Sequence, residues 1–207
     1  TALAAVADAR GLRHAELARG GVQRLADGAP LTARLELRLA EIPLQRGDFA
    51  AAGPHVEAAI ELHAQLYGED STVFAAALDL RASLLFLRAE YAAALAEYRR
   101  VEAIYGRAYG PQHPSLGKVL NNIGAAQLSL LDYAAAGQTY GRALAILRAG
   151  HGDDHPSLAT VYTNLGLIAL GEGQFARAIE EFERALAIYT MSLPASRCIR
   201  SILPPIK

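Results

Sequence analysis

Phe49, Tyr91, Tyr133 and Phe175 stand 42 residues apart, and each opens an alanine-rich stretch. A fixed period of this length marks a repeat array, in which every unit buries its apolar side against its neighbours. The register holds at columns of quite different chemistry: Tyr67, Tyr109 and His151; Gly68, Gly110 and Gly152; Pro30, Thr72, Pro114 and Pro156; Leu62, Ile104, Ile146 and Ile188. The last two units are closest, with His113-Pro114-Ser115-Leu116 matched by His155-Pro156-Ser157-Leu158. Such an array works through a surface and not through a catalytic pocket.

Within one unit the apolar residues follow the helical period. Leu158, Val161, Tyr162, Leu165 and Ile168 step by three and four, as do Phe175, Ala178, Ile179, Phe182, Ala185, Leu186 and Tyr189. Between them lies Gly171-Glu172-Gly173-Gln174, whose glycines can take the positive φ that ends a helix. Each repeat therefore reads as two antiparallel helices. The connection Gly152-Asp153-Asp154-His155-Pro156 leads to the next pair, with proline tolerated in a first helical turn. Gly124, Gly166, Ala136, Ala178, Ala143 and Ala185 allow neighbouring helices to approach, so a large residue at Ala136 or Ala178 should overpack the array.

The resulting fold class is all-α: a right-handed α-solenoid of antiparallel helix pairs, about four repeats of 42 residues. Residues 1–27 lack the motif and read as a capping helix or the remnant of a preceding repeat. The array spans 28–190, with repeats at about 30–67, 72–109, 114–151 and 156–190. Residues 191–207 form an atypical tail, basic and proline-bearing, read as a linker, as of non-native origin, or as a ligand-like segment from Ile202 to Ile206. Two residues disturb the early repeats. Arg81 stands where Ile123 and Leu165 stand later, and Pro43 falls inside a first helix that it should kink or shorten.

The run Leu120-Asn121-Asn122-Ile123-Gly124, then Asp132-Tyr133-Ala134-Ala135-Ala136, then Tyr140-Gly141-Arg142-Ala143-Leu144-Ala145-Ile146, then Gly152 and His155-Pro156, resembles the tetratricopeptide repeat of the kinesin light chain type. The resemblance covers roughly Pro30 to Tyr189. Similar arrays form carboxy-terminal regions of bacterial serine/threonine kinases and other bacterial signalling proteins, although no phosphate loop or kinase motif stands in this chain. The resemblance implies a concave groove lined by the first helix of each pair, where asparagines bond the backbone of an extended peptide. Carried onto this sequence, the groove residues are Asp79 and Ser83 in the second repeat, Lys118, Asn121, Asn122 and Ala125 in the third, and Thr160, Thr163, Asn164 and Leu167 in the fourth. Asn122 and Asn164 could instead bond between adjacent repeats and hold the array together.

Composition narrows the partner. The chain of 207 residues is 52% apolar with net charge -1, as expected of a globular protein with a real core. Its basic residues are nearly all arginines interleaved with acids, so no stripe for nucleic acid stands out. No run approaches the roughly 18–20 apolar residues of a membrane span. Cys198, the single cysteine, excludes an intrachain disulfide and fits a reducing compartment, with cytoplasm the default. The scarcity of lysine points to a GC-rich bacterial genome. A start at Thr1 reads as an excised or processed piece, so a catalytic domain of the parent could lie elsewhere.

No candidate chemistry outweighs this reading. His151-x-x-x-His155, beside Asp153 and Asp154, has metal-ligand spacing, but His155 is a repeat-turn residue matched by His113. His14, His55 and His63 lie in no motif and read as surface or packing residues. Cys198 has no nearby histidine to activate it. Glu180, Glu181 and Glu183 read as a polar helix face, with Arg177 and Arg184 at pairing distance. The expectation is a noncatalytic scaffold, without cofactor or metal, that binds a peptide or protein partner. The alternative is homo-oligomerisation through the terminal repeat or tail.

Overall fold

A computed structural model describes residues 28–192; the readings placed on residues 1–27 and 193–207, including Cys198 and the Ile202–Ile206 segment, lie outside the described residues. The described residues form helices only: α1 (Ala29–Gln45), α2 (Phe49–Tyr67), α3 (Thr72–Leu87), α4 (Tyr91–Tyr109), α5 (Pro114–Ser129), α6 (Tyr133–His151), α7 (Pro156–Gly171) and α8 (Phe175–Ser192). They fall into two compact units that meet within α4, one ending at Ile104 and the other starting at Tyr105. In the first unit α1 packs on α2 and α2 on α3; in the second, α5 packs on α6, α6 on α7 and α7 on α8.

The aromatic column starts the second helix of every pair, and the turn before it explains why. Asp48 and Asp132 accept the amide protons of Ala51 and Ala135 at 3.1 Å, satisfying helix-start donors that would otherwise lack a partner. One residue earlier the chain is left-handed: Gly47 has φ +75 and Gly173 φ +74, but Ala89 and Leu131 hold φ 61 and 62 at the same column. Glycine is comfortable there, whereas alanine and leucine are strained.

First helices of later pairs begin at a histidine cap. His113 and His155 accept the amides of Ser115 and Ser157 through Nδ1, both at 3.2 Å. Each ring also stacks on the aromatic ring four residues earlier, Tyr109 at 4.4 Å and His151 at 4.3 Å. The histidine pair is thus a turn device, and no cluster of three metal-ligating residues occurs among the described residues.

The two disturbing residues are absorbed. Pro43 is buried near the end of α1, which continues to Gln45, the column at which α3, α5 and α7 also end. The expected shortening does not occur, because a proline in the last turn removes one bond only and the backbone closes around it through Arg46 and Asp48 amides donating to the Pro43 carbonyl. Arg81 spends its charge sideways, donating to Glu97 at 2.8 Å and to Glu57 at 3.4 Å.

Close helix approach is decided by glycine at two matched positions. A Cβ on Gly124 would sit 2.7 Å from the Tyr140 ring, and one on Gly166 would sit 2.6 Å from the Phe182 ring. The aromatic partners of one column therefore require the glycines of another.

Candidate peptide-binding face

Of the expected groove residues, Lys118 on α5 and Thr160 and Leu167 on α7 are exposed, whereas Asn121, Asn122 and Ala125 on α5 and Thr163 and Asn164 on α7 are half-buried. These are the positions left over once Leu116, Val119, Leu120 and Ile123 of α5 and Leu158, Val161, Tyr162 and Leu165 of α7 have gone into the core. The first helices α5 and α7 lie side by side, so the two stripes form one surface in the second unit. Asp79 and Ser83 lie on α3 in the first unit.

The individual side chains differ in how free they are. Asn164 Nδ2 donates to Asn121 Oδ1 at 3.5 Å, a long contact between successive first helices. The amide link between repeats thus uses Asn121, where the sequence had pointed to Asn122. Asn122 is half-buried and makes no side-chain hydrogen bond to another described residue. Thr163 turns back on its own helix, its hydroxyl donating to the Ala159 carbonyl at 2.9 Å, and the Thr160 hydroxyl lies 3.4 Å from Tyr189 Oη. Lys118 and Leu167 face outward.

In the first unit Ser83 is a packing partner as much as a surface residue. Its hydroxyl lies 3.1 Å from Tyr98 Oη. Burial pushes the Tyr98 phenol up to about 12, an effect that the Ser83 bond offsets and the Asp79 charge reinforces. The second unit has Ala125 at the serine column, and its matching Tyr140 has no hydrogen-bond partner for its buried hydroxyl. Burial raises that phenol as well.

Sequence reasoning missed a second polar chain, on the other side of α7. Tyr162 is buried, its hydroxyl accepts from Arg148, and its ring lies 5.9 Å beneath the Arg184 guanidinium. Arg184 in turn donates to Glu181 at 3.1 Å, while Arg148 pairs with Asp153 at 2.7 Å. The expected partners of α8 are corrected accordingly: Arg184 takes Glu181 and not Glu180, Arg177 takes the Gln174 side chain at 3.0 Å, and Glu181 is buried instead of lying on the polar face. Spacing alone could not choose between neighbouring carboxylates. Buried Glu36, paired at 2.7 Å with the partly exposed His55, occupies a column that is leucine in the next two repeats, and His63 is a core residue bonded to the Ala59 carbonyl.

Stacked antiparallel helix pairs with a polar stripe on their first helices define a helical-repeat scaffold. Within that class the chain belongs to the tetratricopeptide repeat family, whose sequence profile matches residues 73–149 and 118–191. Comparison with curated proteins gave no match. Among solved structures, BtubC (BKLC) from P. vanneervenii is similar with TM-score 0.79 and 22% identity, over 97% of this chain and 77% of that one. A protein from Podosopora anserina described as a kinesin light chain with nearly identical TPR-like repeats gives TM-score 0.68 and 19% identity, over 93% of this chain and 94% of that one. A Rap protein complexed with competence and sporulation factor gives TM-score 0.71 and 16% identity, over 85% of this chain and 47% of that one. The chain thus spans about half the length of the Rap structure. The tetratricopeptide fold commonly mediates protein–protein interaction and is generally a noncatalytic scaffold. No helix among the described residues is long and apolar enough to cross a membrane.

Proposed function

We propose that this chain is a noncatalytic scaffold that holds an extended segment of a peptide or protein partner against its first helices, as a regulatory part of a larger bacterial signalling protein in the cytoplasm. The observation that carries the reading is Asn122, a half-buried amide in mid-helix whose donor and acceptor meet no other described side chain. Asparagine costs helix stability, and an extended backbone presents the complementary N–H and C=O groups. Asn164 adds a second amide held only by a long contact, Lys118 adds a cation, and Leu167 offers an apolar contact. The Rap structure that holds competence and sporulation factor supports a ligand-binding use of this fold. The partner can be captured from lysate on the immobilised chain and titrated against Asn122→Ala/Asn164→Ala. Binding should weaken at least about tenfold, the loss expected when a hydrogen bond worth roughly 1 kcal/mol is removed at each amide, with the melting temperature unchanged. A melting temperature that falls in parallel with affinity would show that the amides serve the array itself.

A further inference from the structure

The described residues leave the outer face of α8 largely bare. Phe175, Ile179, Leu186 and Tyr189 share that face and are 65%, 58%, 62% and 42% exposed. Glu180 and Glu183 stand on the same helix at its edge, exposed and without an ion pair to any described residue. Apolar rows rimmed by charge mark a contact.

In a repeat array the ordinary cover is the first helix of the next pair, as α3 packs on α2 and α7 on α6. The residues that follow α8 cannot supply it. One period after Pro156 stands Cys198, so a next first helix in register would run through Pro204 and Pro205, at the columns of Tyr162 and Thr163 in mid-α7. Prolines there remove two backbone donors and clash with the preceding turn. Arg200 falls at the column of buried Leu116 and Leu158, and Pro194 at that of the turn residues Gly110 and Gly152. The helix stack is therefore not carried on by residues 193–207.

The same residues have the composition of an extended cover. Pro204-Pro205 favours an extended backbone. Ile199, Ile202, Leu203 and Ile206 supply apolar side chains, while Arg197, Arg200 and Lys207 supply three cations with no acid among them. Reach is sufficient: α8 has 18 residues, about 27 Å at 1.5 Å each, and the 15 residues from 193 to 207 span about 50 Å when extended. We infer that residues 197–207 fold back along α8, laying these apolar side chains on the row and their cations beside Glu180 and Glu183. Tethering gives the segment a high effective concentration at the face, so modest contacts suffice and a separate partner must displace it. The segment then acts as a terminal cap, turning an apolar end into a polar one.

Trypsin reads this contact directly in the full chain, because Arg197 and Arg200 lie in the segment and cleavage tracks the fraction of it that is undocked. Cleavage at these two arginines, timed by mass spectrometry, should be about tenfold faster in Ile179→Asp/Leu186→Asp, where a contact held at millimolar effective concentration is lost. The circular dichroism melt should not change, since so short a segment leaves before the helices unfold. Glu180→Lys/Glu183→Lys should also speed cleavage at Arg197, and Arg200→Glu/Lys207→Glu in the same chain should restore protection. Equal cleavage rates in the parent and Ile179→Asp/Leu186→Asp overturn the proposal, as does a charge exchange that restores nothing. Protection lost in Asn122→Ala/Asn164→Ala but kept in Ile179→Asp/Leu186→Asp overturns it by placing the segment on the first-helix stripe. Protection that grows with protein concentration, with a dimer in light scattering, overturns it in favour of a second copy.

Discussion

Single residues in this repeat are informative because each has counterparts in a nearly equivalent setting. Leu131 holds φ 62 at a column where Gly47 and Gly173 relieve the same strain, and it is 69% exposed. Leu131→Gly should therefore raise stability by about 1 kcal/mol, the left-handed penalty of a side chain less the extra freedom glycine gains on unfolding; urea unfolding followed at 222 nm measures it. The two core tyrosines make a matched test of hydrogen bonding. Tyr98 bonds Ser83 and Tyr140 bonds nothing, so Tyr98→Phe should cost about 1 kcal/mol while Tyr140→Phe is neutral or stabilising. Alkali acts through the same pair. Burial raises the folded Tyr98 above its ordinary 10.0 to about 12, so the unfolded chain loses the proton first. That stability is whole below pH 10 and lost as pH climbs toward 12. Thermal melts at pH 9 and pH 11.5 should show the fall, reduced in Tyr98→Phe.

At the scale of the helix pair, the governing quantity is the distance at which two helices pack. Gly124 and Gly166 let Tyr140 and Phe182 lie flat against the first helix, and Ala136 and Ala178 are buried beside them. Gly166→Ala should cost about 1–3 kcal/mol by overpacking, read as a lower urea midpoint at unchanged m-value. Pairing it with Phe182→Leu should recover part of the loss, because the clash is with the ring. The pair itself was legible in the sequence: apolar spacing gave both helices, glycine marked the turns, and proline marked the starts. What the pattern could not reveal was which polar groups would be spent inside the pair. Arg81 looked like a flaw in the second repeat, and it is the residue that spans Glu57 and Glu97. Ser83 looked like a groove residue, and its hydroxyl is turned to Tyr98. Such choices depend on angles and distances between helices that are far apart in sequence.

For the whole molecule, repetition makes neighbour-to-neighbour packing the source of stability, and a face without a neighbour contributes little to it. Ile179→Lys/Leu186→Lys should thus leave the melting temperature nearly unchanged while raising the solubility limit in a precipitation assay, since the exposed row of α8 holds nothing described in place. A drop in melting temperature of several degrees would mean that the row is packed in the folded chain. The period of 42 residues, read with no coordinates, already implied an all-α array of about four helix pairs and placed the aromatic column at the start of each second helix. Local rules suffice for that, because helix periods and turn residues act within one repeat. Only the tertiary structure decided that Asn164 reaches Asn121 and leaves Asn122 open, that Tyr140 is buried without a partner, and that Phe175 is exposed although Tyr133 lies against α7. Those outcomes depend on what stands next to each residue in space, and identical columns of a repeat differ in that alone.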